Sequence, residues 1–302
     1  MQEEPSGILI VNKHAGVTSH DVVNKIRRLY NTKRVGHTGT LDPMATGVLV
    51  VLVGRAAKAC EYVASDSKRY LATMRLGLTT DTEDTTGTVL STAGTLPHCE
   101  DVLATATRFT GKIEQIPPMY SALKVGGQKL VDLARRGEVV ERKARAVEVF
   151  SLSVQATEEA SDYVLDVHCS GGTYIRTLCA DIGAALGCGG VMASLMRTET
   201  CGFPIEKAYT VAELEAMTQE ERSVCLLPTE SLFEALPAVR LSAFYEKLCR
   251  GGCEIYLKKL GIDISVGTRT RLYDATGKFF ALGEIREYEN GLAVKAIKTF
   301  VL

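Results

Sequence analysis

Six consecutive apolar residues, Val48 to Val53, limit the possible folds of this chain more than any other segment. A continuous apolar run of this length is typical of a β-strand that is covered on both faces. The run follows a loop rich in glycine and threonine, so that residues 36 to 49 read GHTGTLDPMATGVL. A single acid, Asp42, lies within this loop. The segment therefore predicts a central strand, and it raises the question of why a lone acid precedes it.

The rest of the chain mixes strand and helix patterns without a regular β-α-β rhythm. Thr18 or Ser19 suits the N-cap of a helix, and Thr210 with Glu213 forms a capping box before another. Strands are predicted at Ile8 to Val11, Lys68 to Leu76 and Tyr163 to Ser170, and a further helix at Thr173 to Leu186. We therefore predict an α+β fold with a mixed sheet.

From about Ala235 the sequence changes to short strands and turns. The segments LYDATGKFFALGEI and NGLAVKAIKTFVL are examples of this pattern. Short strands separated by turn residues are typical of a small β-rich domain. We therefore predict two domains, at residues 1–234 and 235–302.

Charge is segregated along the chain although its net value is only −1. Residues 22–36 carry a net charge of +5 and residues 122–147 a net charge of +4, whereas residues 211–234 hold six glutamates and one arginine. Such segregation favours a basic face for phosphates, and solvated helix faces produce the same runs. No apolar run is long enough to span a membrane, and the acidic start, MQEEPSG, does not resemble a signal peptide. We expect a cytoplasmic protein.

Standard cofactor and metal motifs are missing from the sequence. The nine cysteines contain no CxxC pair, and Cys249 and Cys253 have no second pair that could complete a zinc site, so reduced thiols are expected. Neither the P-loop pattern nor the G-x-S-x-G pattern of the α/β-hydrolases occurs. The acids at positions 81, 83 and 84 lack the spacing of a calcium loop, and we interpret them as a solvated turn.

Three segments place polar or aromatic residues at strand ends or glycine-rich loops: GHTGTLDPMATGVL, SDSKRYLATMRLGLTTDTEDTTG and HCSGGTYIRTL. Taken singly, Asp42-Pro43 fits a turn or N-cap, and Tyr70 fits either a half-buried strand position or a stacking platform. Arg176 opposes the helix dipole in a first turn, which suggests a carboxylate partner but also fits a surface arginine. His37 fits a loop residue bonded to backbone.

Together these segments resemble the TruB family of pseudouridine synthases. GHTGTLDPMATGVL resembles motif II of that family, and four further stretches match in the family's order: VNKHAGVTSHDVV, KRY with LGLTTDTEDTTG, QIPPMYSALKVGGQKL and CSGGTYIRTLCADIGAALGCGG. The match covers most of residues 7 to 210. The resemblance implies a pseudouridine-synthase fold with a central mixed, largely antiparallel sheet flanked by helices. It also implies an RNA-gripping insertion at about 120–147 and a PUA-like, RNA-binding C-terminal domain.

The resemblance also assigns roles to individual residues. It makes Asp42 the catalytic carboxylate, with Arg176 as the ion-pair partner that keeps it charged, and Tyr70 the aromatic that stacks on the target uracil. The other implied substrate-binding residues are His37 beside the RNA, Tyr174 and Leu195 lining the base pocket, and Lys13 supporting the site. The chain departs from the family at His14, Val131 and Met196, where Pro, Tyr and Arg are common. The first departure loosens a turn, and the other two affect expected RNA contacts.

The implied activity is isomerisation of uridine 55 in the T loop of tRNA. The reaction needs no redox step and no group transfer to a second molecule, so no cofactor and no metal are expected. The expected partner is the T stem-loop of tRNA, with no membrane and no obligatory protein partner, and the expected state is a monomer. The alternatives are a non-catalytic RNA-binding or tRNA-folding protein, and a glycosylase that uses Asp42 to release free uracil.

Overall fold

The computed structural model describes residues 4–63, 67–121 and 123–300. Ser65 and Asp66, which begin the second of the three segments, and Ala122 of the insertion lie outside the described residues. The strands in chain order are β1 (Gly7–Lys13), β2 (Val35–His37), β3 (Thr46–Val53), β4 (Lys68–Leu76), β5 (Leu78–Thr80), β6 (Val89–Thr92), β7 (Gly111–Gln115), β8 (Lys124–Val125), β9 (Gln128–Lys129), β10 (Arg145–Ala156), β11 (Asp162–Cys169), β12 (Gly190–Thr200), β13 (Phe203–Pro204), β14 (Tyr209–Thr210), β15 (Ala238–Arg240), β16 (Ile255–Tyr256), β17 (Arg269–Tyr273), β18 (Phe279–Tyr288) and β19 (Gly291–Thr299). The helices are α1 (Ser19–Leu29), α2 (Cys99–Ala106), α3 (Leu130–Ala134), α4 (Ile175–Ala185), α5 (Val211–Ala216), α6 (Gln219–Val224), α7 (Ala243–Arg250) and α8 (Leu257–Leu260).

A ten-stranded mixed sheet forms the larger part of the molecule. Its main path runs β14-β1-β3-β12-β4-β11-β10-β7, with β2 paired to β3 and β13 paired to β12. Only the β1–β14 and β3–β12 pairs among these are parallel. A second, five-stranded sheet, β15-β17-β18-β19-β16, follows in the C-terminal part. The predicted α+β class with a largely antiparallel mixed sheet and a β-rich C-terminal domain is confirmed.

Strand β3 is covered on both faces, as its apolar run predicts. Leu49, Val51 and Val53 face helix α1 in one apolar cluster. Val48, Val50 and Leu52 belong to another cluster, which includes Phe203 and Phe233 and, from the C-terminal sheet, Leu282. Every residue from Val48 to Val53 is fully buried. The run is uniformly apolar because both sets of alternating side chains leave water.

The local sequence signals place several element ends correctly. Helix α1 begins after Thr18, whose side chain forms a capping box with Asp21, and Thr210 caps α5 in the same way. Strand β4 has the predicted bounds, and β11 begins one residue before Tyr163. The prediction for α4 was wrong at its start: the helix begins at Ile175, with Tyr174 as an N-cap whose side chain makes no capping bond. None of the helices in the described part of the chain is long and apolar enough to cross a membrane.

Candidate active site

The loop between β2 and β3 forms a turn that presents Asp42. The Ala45 amide donates to the Asp42 carbonyl at 3.1 Å, so the turn predicted from Asp42-Pro43 is present. The carboxylate meets the guanidinium of Arg176 in a forked arrangement, with Nε to Oδ2 at 3.0 Å and Nη2 to Oδ1 at 3.3 Å. The Arg176 side chain is 5% exposed and that of Asp42 is 33% exposed. One buried cation therefore holds an acid that solvent can still reach.

Arg176 is fixed by contacts beyond Asp42. Its Nη1 donates to the Thr82 carbonyl at 3.0 Å and its Nη2 to the Tyr120 carbonyl at 2.9 Å. Asp84 lies 3.8 Å away through Oδ2 and is itself 5% exposed. These partners satisfy a buried guanidinium, which would otherwise be strongly unfavourable.

Asp84 corrects the interpretation of the acidic segment as a solvated turn. Its carboxylate is buried and accepts hydrogen bonds from the Thr82 hydroxyl at 2.8 Å and from the Thr86 amide at 2.9 Å. Sequence reasoning missed this residue because a buried carboxylate paired across the fold looks the same in sequence as one in water. The only local signal is the run of threonines around it, which supplies hydroxyl donors.

The electrostatics of Asp42 differ from the expectation. Burial raises the pKa of Asp42, and the nearby Asp84 carboxylate raises it further, while Arg176 lowers it without cancelling the increase. We expected Arg176 to keep this carboxylate charged, and Arg176 does lower its pKa, but by less than burial raises it. The reason is that desolvation of the carboxylate outweighs the attraction of one guanidinium that also serves Asp84.

Lys13, which the resemblance implies as a support of the site, donates hydrogen bonds to the loop that carries Asp42. Its side chain is fully buried at the end of β1, and Nζ donates to the Ala45 carbonyl at 2.6 Å and the Pro43 carbonyl at 3.2 Å. A third bond, at 2.9 Å, goes to the carbonyl of His14. Burial lowers the pKa of Lys13 to about 8, against the raising effect of Asp42. Lys13 thus fixes the backbone on the C-terminal side of Asp42.

Arg197 is a second loop support that sequence analysis did not select. It lies in β12 with 1% exposure, and Nε donates to the Val48 carbonyl at 2.7 Å. Nη2 donates to the Gly39 carbonyl at 3.1 Å, on the N-terminal side of Asp42. The sequence signal that could have selected Arg197 is its position two residues from Leu195, which places both side chains on the same buried face of the strand.

The approach of β12 to β3 also explains the glycine at position 47. Gly47 has φ of +98°, and a Cβ there would lie 2.2 Å from the Arg197 carbonyl oxygen. Any side chain would therefore be strained by its φ and would also collide with backbone. This contact sets the distance between the loop that carries Asp42 and the strand that carries Arg197.

The aromatic and apolar site residues lie in the core beside this loop. Tyr70 is 6% exposed in β4 and Leu195 is 8% exposed in β12, and both join the cluster that contains Leu41 and Ala45 of the loop. Burial raises the pKa of Tyr70, although the nearby Arg197 lowers it. Tyr70 is therefore more deeply buried than the half-buried position considered from sequence, and only a small part of its ring is accessible in this conformation.

Tyr174 precedes Arg176 by two residues, and His37 precedes Asp42 by five. The Gln115 side chain accepts from the Tyr174 amide at 2.9 Å and donates to its carbonyl at 3.1 Å. Gln115 is 2% exposed, and sequence reasoning did not select it. His37 ends β2 half-buried, and burial lowers its pKa, as does the positive charge of Arg197. No group of three or more His, Cys, Asp or Glu side chains among the described residues could hold a metal ion.

Comparisons with known proteins identify the family of the chain. The family model described as the N-terminal domain of TruB family pseudouridylate synthases matches residues 27–175, and the model described as the tRNA pseudouridylate synthase B C-terminal domain matches residues 176–234. A tRNA pseudouridine synthase B from Clostridium kluyveri is 41% identical over 98% of this chain and 99% of its own length. One from Burkholderia mallei is 41% identical over 95% of each chain.

Solved structures show the same fold. A chain in the crystal structure of a Cbf5-Nop10-Gar1 complex aligns with a TM-score of 0.74 and 26% identity, covering 98% of this chain and 85% of that one. Two consecutive family models match the chain, and a relative is 41% identical over nearly its whole length. This chain belongs to the TruB family of pseudouridylate synthases.

Proposed function

We propose that the protein isomerises uridine 55 in the T loop of tRNA to pseudouridine, with Asp42 as the catalytic carboxylate. The observation that carries the proposal is the forked pair between the buried Arg176 and the solvent-accessible Asp42. The relatives from Clostridium kluyveri and Burkholderia mallei, both named tRNA pseudouridine synthase B, support tRNA as the substrate.

The isomerisation requires an anion beside the sugar and base. The N1–C1′ bond breaks, the uracil rotates while it is held, C5 bonds to C1′, and the proton on C5 leaves. An ionised aspartate serves this reaction either by attacking C1′ or by abstracting a proton from the sugar. Because burial raises the pKa of Asp42, its carboxylate is more basic than an exposed one. One charge-assisted hydrogen bond from Arg176 Nη2 and the ion-pair contact of its Nε orient it.

The target base must leave the RNA stack before Asp42 can reach it, at a cost of a few kcal/mol. Tyr70, Tyr174 and Leu195 are proposed to receive the flipped uracil, and stacking on an aromatic ring recovers roughly 1–3 kcal/mol per base. His37 is proposed to lie against the neighbouring RNA. Movement of the core around Tyr70 is part of this proposal, because the ring is 6% exposed without RNA.

Basic surfaces are proposed to hold the rest of the RNA. The insertion at 120–147 forms a short hairpin, β8 with β9, followed by α3. Arg135 and Arg136 of this segment are exposed, and Arg136 pairs with Glu138 at 2.7 Å. The Tyr120 carbonyl at its base accepts a hydrogen bond from Arg176. The C-terminal domain is proposed as a further RNA contact, and the enzyme is proposed to act as a cytoplasmic monomer without an obligatory protein partner.

Tritium release tests the proposal directly. Transcripts of tRNA labelled with tritium at uridine C5 should release label with the wild-type protein, and Asp42→Asn should reduce release to background. Asp166→Asn, which alters an exposed acid on β11, is the matched control and should retain activity. Equal release by Asp42→Asn would contradict the assignment of the carboxylate.

Substrate and product controls separate the alternatives. A transcript with cytidine at position 55 should release no label, and continued release would move the target to another uridine. Free uracil among the products would support the glycosylase. Wild-type protein that binds tRNA without releasing label would support the non-catalytic RNA-binding protein.

A further inference from the structure

Two cations near the catalytic loop have no carboxylate partner in the part of the chain that the structure describes. Asp42 and Asp84 both pair with Arg176. Within residues 4–63, 67–121 and 123–300, no carboxylate pairs with Lys68 or Arg197. Arg197 instead donates to neutral backbone carbonyls of the loop and of β3. The neighbourhood of the loop therefore carries an excess of positive charge.

The side chains of Lys68 and Arg197 both approach Gly39. A Cβ built on Gly39 would lie 3.7 Å from Lys68 Nζ and 3.6 Å from Arg197 Nη1, so the two nitrogens are no more than about 7 Å apart. Gly39 is partly exposed and precedes Asp42 by three residues, whereas Arg197 is 1% exposed. The point between the two cations thus opens toward solvent on the Gly39 side.

The surroundings of Lys68 do not compensate its charge. Burial lowers the pKa of Lys68, and the positive charge of Arg197 lowers it further. The thiols of Cys169 and Cys201 are its other electrostatic neighbours. A partly desolvated ammonium beside a like charge is unfavourable in the free protein, and an arriving anion would relieve it.

We propose that Lys68 and Gly39 form a binding site for one phosphate of the RNA backbone next to the flipped nucleotide. Lys68 Nζ contacts the phosphate directly, and the buried Arg197 supplies fixed positive charge from behind Gly39. The absence of a side chain at Gly39 lets the phosphate approach both charges. The inference rests on the proposed RNA substrate, and it adds an assigned contact for the backbone beside the target base.

Salt dependence of RNA binding tests the charge of the site. Binding of a T stem-loop hairpin should weaken about tenfold in Lys68→Met and less than threefold in Lys68→Arg, which keeps the charge. The slope of log K against log salt should become shallower by about 0.7–0.9 in Lys68→Met, as expected for one lost phosphate contact. The thermal midpoint of free Lys68→Met should not fall, because an uncompensated charge is removed.

Removal of the phosphate charge tests the ligand. Hairpins carrying a single neutral methylphosphonate linkage on one side or the other of the target uridine should bind the wild type about tenfold more weakly at one of the two positions. The same linkage should cause no further loss in Lys68→Met. Gly39→Ala should weaken binding similarly, because its methyl group would lie over both cations. Gly94→Ala is the control, since a Cβ there has no neighbouring heavy atom within 4 Å and lies at an exposed bend far along the chain.

Three results would overturn the inference. The first is a salt dependence of RNA binding that is unchanged in Lys68→Met. The second is a loss of affinity from the methylphosphonate that adds to the loss from Lys68→Met. The third is a lowered thermal midpoint of Lys68→Met that accounts for its weaker binding. Failure of the proposed function would look different, because wild-type protein would then release no tritium from tRNA. If the wild type is active and Lys68→Met binds RNA normally, only the phosphate site is rejected.

Discussion

Individual charged residues around Asp42 owe their properties to burial more than to sequence neighbours. Arg176 comes from a helix 134 positions away, and Asp84 comes from a separate loop. Arg176 lowers the pKa of Asp42 and Asp84 raises it, yet the largest influence on this pKa is the burial of the carboxylate. The protein therefore holds an acid that is more basic and less stable as an anion than an exposed aspartate.

The raised pKa of Asp42 predicts a pH-dependent gain in stability for Asp42→Asn. A carboxyl whose folded pKa lies above the ordinary value of 3.8 stabilises the fold fully below that pH, and this contribution is lost as pH rises through the folded pKa. The ionised group is thus unfavourable at pH 7, and asparagine avoids that cost. Thermal unfolding should show a higher midpoint for Asp42→Asn at pH 7, converging with wild type near pH 4.

Asp166→Asn provides the reference for this measurement, because Asp166 is exposed. Its midpoint should follow that of the wild type at both pH values. A lower midpoint for Asp42→Asn at pH 7 would mean that attraction to Arg176 outweighs desolvation.

At the scale of elements, the first turn of α4 depends on a neighbouring strand for its position. Tyr174 makes no side-chain cap, and the turn is held instead by Gln115 at the end of β7. Gln115 bonds to both backbone groups of Tyr174, and Arg176 follows two residues later. The insertion that begins beyond β7 and the segment that carries Tyr174 and Arg176 therefore share one anchor.

This anchor predicts that Gln115→Leu impairs turnover more than RNA binding. Loss of both hydrogen bonds leaves the Tyr174 amide unpaired, at about 1–3 kcal/mol of stability, and frees the turn that orients Arg176. The Tyr174 carbonyl still accepts from the Leu178 amide. We expect kcat to fall roughly ten- to a hundredfold with KM nearly unchanged, since small misplacements of catalytic groups have effects of this size.

Steady-state tritium release gives both constants for Gln115→Leu. Gln115→Glu, which keeps an acceptor for the Tyr174 amide, should recover part of kcat. Gln155→Leu, at an exposed position of β10, should behave as wild type. A higher KM with normal kcat in Gln115→Leu would assign Gln115 to RNA binding instead.

At the scale of the whole molecule, one apolar cluster connects the two sheets. Phe233 lies 6.1 Å from Phe300 and 6.4 Å from Phe279 between ring centroids. The same cluster includes Val50 and Leu52 of β3, so the strand that follows the loop with Asp42 packs against residues of the C-terminal domain. Stability of the two parts is therefore expected to be coupled.

Phe300→Ala should destabilise both parts together. Truncation of a buried phenylalanine costs about 3–5 kcal/mol, and the cluster transmits this loss to β3. Calorimetry should show one transition that moves to lower temperature without splitting. Phe244→Ala, which alters a 67% exposed ring, is the control. Two transitions, with the catalytic domain unaffected, would show that the domains unfold independently.

Patterns carried by neighbouring residues were predictable from sequence. The capping box at Thr18, the bounds of β4 and the burial of Val48 to Val53 depend on periodicity and local hydrogen bonds. The turn at Asp42 is equally local. The resemblance to the TruB family added the pairing of Asp42 with Arg176, which residue chemistry left open.

The sequence by itself determined several strands and helices, the family and the position of the lone acid. Only the tertiary structure decided that Asp84 is buried, that Arg197 and Gln115 hold the site, and that the pKa of Asp42 is raised. The physical reason is that desolvation and long-range pairing depend on which segments the fold brings together. The sequence around a charged residue does not show whether water or another segment of the chain surrounds it.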